Sequence, residues 1–197
     1  MHVCCSIQVT DDYGNACGYF GSPFINNCNY STAAHILQHI YPDVKPAPSN
    51  YSKPENVWHD LCCLLSFFIF THTHTHIRIL CKLMEYDQAE FFGYLPSVAS
   101  MDTTGYVYVP EACKDGSKSC RLHLAFHGCL QGRKYVSTAF ALHAGYNSVA
   151  EMNNIIILYP QADNSTLNPN GCWDWYVCLQ TSVVLSFHNI IITETGN

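Results

Sequence analysis

The stretch CRLHLAFHGCLQGRKYVSTAFALHAGYNSVAEMNNIIILYPQ, residues 120 to 161, decides the reading of this 197-residue chain. It holds two short apolar runs, Leu122 to Phe126 and Ile155 to Tyr159, rich in Leu and Ile as strands buried on both faces are. A Gly-bearing loop, His127 to Arg133, follows the first run. About eighteen residues then predict one helix, with Val136, Phe140, Ala144 and Val149 on one face. Strand, loop, helix and strand make a right-handed βαβ unit. Ligands bind beyond the carboxyl ends of the strands in such sheets. Those ends are His127-Gly128-Cys129 and Pro160-Gln161-Ala162, where any chemistry is expected.

Composition narrows the classes. The chain carries nine Lys and Arg against fifteen Asp and Glu, so it has no basic patch for nucleic acid or an anionic membrane. Twelve Cys argue for an oxidising compartment and extracellular location. The sequons at Asn29, Asn50 and Asn164 agree with secretion. The opening MHVCCSIQV has neither a charged start nor an adequate apolar core for a signal peptide, which predicts a natural N-terminus elsewhere. No cofactor is implied, and no protein partner can be inferred.

Outside the central unit, residues 10–56 are rich in Gly and Pro and predict one helix near Ser31 to Tyr41. Ser31 or Thr32 would cap it, with Ala33, Ile36, Leu37 and Ile40 on one face. Cys17 and Cys28 bracket a turn-rich segment and could close a disulfide loop. MEYDQAEFF, residues 84–92, reads as a short strand or turn leading into a helix, and GYVYVP, residues 105–110, as a strand. Cys113 and Cys120 flank a turn and predict a hairpin closed by a disulfide.

Three stretches read as foreign: residues 1–9, 57–82 and 177–197. The apolar run Leu61 to Phe70 is too short to span a bilayer. THTHTH would set His72, His74 and His76 on one strand face, yet no carboxylate or well-placed thiol completes a metal site there, and none is expected. Alternating Thr and His is also what an ACACAC repeat encodes. A retained intron, opening at a Val codon, is the expected origin of residues 57–82, and residues 177–197 repeat the pattern after another Val.

The chain contains no G-x-S-x-G nucleophile elbow. Ser137 and Ser148 fall inside the expected helix, and His143 reads as a helix-face histidine. Cys129 has three readings: an amide donor to an oxyanion beside a positioning His127, a structural Cys, or a thiol nucleophile that a disulfide to Cys172 would silence. Trp173 and Trp175 flank Asp174 and would make an apolar platform for substrate or simply core. Asp163 and Asp174 are candidate triad acids that pair with no His by spacing.

Residues 10–56 and 83–176, carrying TDDYGNACGYFGSPFINNCNY, CRLHLAFHGCLQ, GYNSVAEMNNIIILYPQA and NPNGCWDW, resemble the extracellular poly(3-hydroxybutyrate) depolymerases, of which they would form a C-terminal part. The resemblance implies an α/β chain forming a partial α/β-hydrolase-like domain (circularly permuted in that family), with a central βαβ unit and disulfide-bearing loops. It implies cleavage of polyester or short-chain hydroxyalkanoate esters through an acyl-serine intermediate. The Cys129 N–H would belong to the oxyanion hole. His127, Gly128, Trp173 and Trp175 would bind substrate. The family's nucleophilic Ser and triad Asp precede the stretch that matches, and Cys5-Ser6-Ile7 stands where its His would be. The chain as given is therefore expected to be inactive. The alternative is a non-catalytic secreted binding module built on the same aromatic surface.

Overall fold

The computed structural model describes residues 7–47 and 83–173. The foreign-looking residues 57–82 and 177–197, the leader up to residue 6, and Trp175 lie outside them. The elements are β1 (Gln8–Thr10), β2 (Asn15–Ala16), β3 (Ile25–Asn27), α1 (Thr32–Ile40), β4 (Leu83–Asp87), β5 (Thr104–Tyr108), β6 (Arg121–Leu124), α2 (Arg133–Val136), α3 (Ala139–His143), α4 (Tyr146–Asn153) and β7 (Ile155–Tyr159).

The main sheet has the order β4-β5-β7-β6. β6 and β7 run parallel, with Leu122 opposite Ile156 and Leu124 opposite Leu158, so the expected βαβ unit is present. β4 and β5 extend the sheet in antiparallel fashion. A smaller parallel sheet, ordered β1-β3-β2, sits in the N-terminal part. α1 begins where the sequence places it: the Ser31 hydroxyl accepts the Ala34 N–H at 3.3 Å, satisfying one of the amides a helix start leaves open. α1 and α4 cover one face of the main sheet. The core joins Ala33 and Leu37 to Phe140, Ala144, Val149, Tyr106, Tyr108, Ile155, Ile157 and Tyr159.

Four expectations change. The single long helix is three short ones, because the backbone enters the left-handed region at Ser137 (φ 53°) and Gly145 (φ 90°) and each break turns the chain. The apolar stripe survives the breaks, since Phe140, Ala144 and Val149 are buried and Val136 packs at the margin. Gln8 and Val9, assigned with the leader, belong to β1, held by the Gln8 N–H to Phe24 and by a side-chain bond of 2.9 Å to the Ala144 carbonyl. Cys113 and Cys120 are joined, but they close a loop and not a hairpin, because β7 lies between the flanking strands β5 and β6. β6 is half-buried and not enclosed on both faces, in contrast to β7.

Among the described residues no helix is long and apolar enough to cross a membrane.

Candidate functional site

The loop after β6 is fixed by hydrogen bonds that leave one amide over. His127 is 3% exposed. Its Nε2 accepts the Ala162 N–H at 3.1 Å, so the proton must sit on Nδ1, which donates to the Gly128 carbonyl at 2.7 Å. Both carboxyl ends of the parallel pair are thereby tied through one neutral imidazole. Burial pushes its pKa down to about 4, against a smaller opposing effect of the Gly128 carbonyl. A histidine so held positions the loop. It is not placed to act as a base near neutral pH.

Gln131 is the second pin. The Gly128 N–H donates to its Oε1 at 2.7 Å, and its Nε2 donates to the Phe24 carbonyl at 2.7 Å, 107 residues away in sequence. Leu130, at φ 62°, donates its N–H to Asn170. Gly132 is required by space: a Cβ there would stand 2.7 Å from the Ala162 carbonyl oxygen and 3.0 Å from the His127 ring. Between these pinned positions the Cys129 N–H makes no hydrogen bond among the described residues.

Cys129 is disulfide-bonded to Cys172, which excludes its service as a thiol nucleophile while that bond stands. The cystine brings Trp173 to the loop. Its ring lies 5.5 Å from the His127 ring and 4.9 Å from that of Phe126, which is 47% exposed. Asn168 fastens the segment, donating from Nδ2 to the Cys172 carbonyl at 2.8 Å and accepting its N–H at 2.9 Å. Cys17 and Cys28 are likewise joined.

A buried polar hub, missed in the sequence, supports the ends of β5 and β7. Gln88 donates to the carbonyls of Asp102 and Gln161 at 2.7 and 3.0 Å and accepts the Gln161 N–H at 2.8 Å. Gln161 accepts the Arg133 N–H at 2.8 Å, and the Arg133 guanidinium reaches the nearly buried Asp102 carboxylate at 3.2 Å. Two glutamines in the apolar-flanked tracts YDQA and YPQA were the available signal. A buried Gln is retained when its amide is fully paired.

The other candidates do not converge on the loop. Ser148 is buried and donates to the Gly145 carbonyl at 3.4 Å. Ser137 is not inside a helix; it occupies an exposed turn between α2 and α3. His143 stacks on Tyr13 with ring centres 3.7 Å apart. Asp163 pairs with Lys134 at 3.4 Å, and Asp174 lies outside the described residues. Among the described residues no cluster of three or more His, Cys, Asp or Glu could hold a metal ion.

No family model matches the chain. It is 37% identical over 170 residues to the poly(3-hydroxybutyrate) depolymerase of Delftia acidovorans, covering 86% of this chain and 28% of that protein. It is 35% identical over 172 residues to the polyhydroxybutyrate depolymerase of Talaromyces funiculosus, covering 82% and 42%. The crystal structure of the depolymerase from Penicillium funiculosum superposes with a TM-score of 0.63 at 33% identity, over 85% of this chain and 48% of that one. A depolymerase structure holding a 3-hydroxybutyrate trimer matches equally, at 0.63 and 34% identity. The chain thus spans less than half the length of the relatives it matches.

Proposed function

The chain belongs to the poly(3-hydroxybutyrate) depolymerase family over the part of its length that it matches, and from that premise we propose that it forms part of a secreted polyester hydrolase acting on short-chain hydroxyalkanoate esters. The observation that carries the reading is the Cys129 N–H, which has no hydrogen-bond partner among the described residues, in a loop pinned through His127, Gly128 and Gln131 and beside the ring of Trp173.

In acyl transfer the carbonyl oxygen gains negative charge as a serine attacks, and fixed amide donors stabilise that charge by about 3 to 4 kcal/mol. The Cys129 N–H supplies one such donor. His127, Gly128 and Gln131 hold it still, so no reorganisation is needed when the charge forms. Trp173 and Phe126 offer an apolar wall to the methyl-bearing chain of a hydroxybutyrate unit, and Trp175 would extend it. The nucleophile and its His and Asp partners have no counterpart among the described residues, so this part of the fold supplies oxyanion and substrate contacts. The three cystines among the described residues suit an oxidising, extracellular setting. No specific observation favours a purely non-catalytic binding module.

The test is an NMR titration of the chain with the trimer of (R)-3-hydroxybutyrate. The Cys129 amide and the Trp173 indole should shift together along one saturation curve. Binding that leaves both unmoved would refute the assignment.

A further inference from the structure

The loop that follows β7 carries an exposed apolar patch on one side and an acceptor sequence for sugar at its start. Ser100, which closes a 3₁₀ turn over Pro96–Ala99, and Ser165 share a hydroxyl hydrogen bond of 2.7 Å. The Asp163 N–H donates to the Ser100 carbonyl at 2.8 Å, so turn and loop form one surface. Val98 and Leu167, each two residues from that hydroxyl bond, are 76% and 70% exposed. Leu95 is 74% exposed, and its carbonyl accepts the Val98 N–H at 3.0 Å. These are the three most exposed large apolar side chains among the described residues. Scattered singly they would be ordinary; gathered on one loop they mark a covered surface.

Asn164-Ser165-Thr166 is an acceptor sequence for an N-linked glycan. Ser165 turns inward onto Ser100, while Asn164 and Thr166 on either side of it are exposed. The Asn164 Oδ1 accepts from Lys134 Nζ. A sugar on Nδ2 leaves that oxygen and one N–H in place, so the bond to Lys134 survives modification. Of the other two acceptor sequences, Asn50 lies outside the described residues. Asn29 is the poorer acceptor: it is followed by Ser31 and not by Thr, adjoins Cys28 of the Cys17 cystine, and stands at φ 53°. Sugar transfer needs an accessible, flexible segment, and a short disulfide loop beside the acceptor removes one.

We propose that Asn164 is an N-glycosylation site whose glycan covers the patch of Leu95, Val98 and Leu167. The donor is an oligosaccharide carried on a lipid pyrophosphate. Asn164 Nδ2 bonds to C1 of the first sugar as the bond from C1 to the pyrophosphate oxygen breaks. The lipid pyrophosphate leaves with the electron pair, and one Nδ2 proton passes to solvent. A bulky hydrated chain rooted beside Ser165 shields the apolar side of the loop. On the inner side Ala162 keeps its bond to His127. The inference rests on the secreted part of the function proposed above and goes beyond it in naming a modified residue and its role.

The test secretes the full chain from yeast behind a cleavable signal peptide. N-glycosidase treatment in heavy-oxygen water converts each glycosylated Asn to a labelled Asp, which peptide mapping locates. Asn164 should carry the label. Thr166→Ala, which spares the Lys134 bond, should abolish it, and Thr166→Ser should keep it. Fluorescence of an apolar-surface dye should about double when the glycan is removed, and untreated Thr166→Ala should start at the higher level. Val98→Ser combined with Leu167→Ser should cancel the rise. An unlabelled Asn164, or dye fluorescence that loss of the glycan leaves unchanged, overturns the proposal. The host signal delivers the chain whatever its natural location, so an empty Asn164 counts against the site and not against the hydrolase reading. A labelled Asn164 in a protein that fails the trimer titration leaves the glycan site standing and rejects the hydrolase reading.

Discussion

His127 and Ala162 are joined by a 3.1 Å hydrogen bond in which the ring Nε2 accepts the backbone N–H, so one neutral imidazole ties together the ends of both parallel strands. The bond exists only while Nε2 is unprotonated. That requirement makes the loop sensitive to acid.

The sign follows from where the protons go. His127 titrates at about 4 in the fold and near 6.5 when unfolded, so between those values the unfolded chain binds the extra proton. Its contribution to stability is complete above about pH 6.5 and is lost as pH falls toward 4, by about 3 kcal/mol in all. Urea midpoints measured from pH 7 to pH 4 should fall more steeply for the native chain than for His127→Gln. Equal slopes would show that the ring is not held neutral.

Gln131→Ala should cost about 2 kcal/mol, because it strands the Gly128 N–H in a buried setting and removes one of the two bonds to the Phe24 carbonyl, which keeps the Gln8 N–H. Gln131→Glu restores an acceptor for Gly128 but no donor for Phe24, and should recover only part of the loss. Denaturant unfolding of both variants decides the point. A change under 1 kcal/mol for the alanine variant would mean water replaces both bonds.

Ser137 has φ 53° and ψ −125°, a combination that glycine adopts freely and residues with a Cβ do not. Ser137→Gly should therefore stabilise the chain by about 1 kcal/mol, despite the greater freedom it gives the unfolded state. A lower thermal midpoint in calorimetry would contradict the strain argument.

Replacing the Cys129–Cys172 cystine by Ser at both positions opens a link between residues 43 apart, worth about 4 kcal/mol on the chain-entropy account. The Trp173 fluorescence should shift to the red as the indole leaves His127 and Phe126. A stability loss with unchanged emission would separate the cystine from the placement of Trp173.

With no G-x-S-x-G in the chain, the protein by itself should release no p-nitrophenol from a butyrate ester above the uncatalysed rate. Turnover abolished by a serine-directed inhibitor would require a nucleophile within these residues and would return attention to Ser137 and Ser148.

Residue order alone carried the local features. Apolar runs located β6 and β7, the Ser31-Thr32 pair marked the start of α1, and turn-rich segments between Cys17 and Cys28 and between Cys113 and Cys120 were short enough for the chain to bring each pair together. Periodicity also identified Phe140, Ala144 and Val149 as buried, since burial follows side-chain direction even where the helix breaks. Tertiary structure decided the rest. Whether Ser137 continues a helix depends on how α2 and α3 must angle to seat Phe140. The pairing of β7 between β5 and β6, which turned an expected hairpin into a loop, depends on strands far apart in the chain. The site was legible as a motif and illegible as a mechanism: HGC…Q named the loop, but Gln131 reaches Phe24 and Gln88 reaches Gln161 across 107 and 73 residues. A buried amide has meaning only through its partners, and those are chosen by the fold.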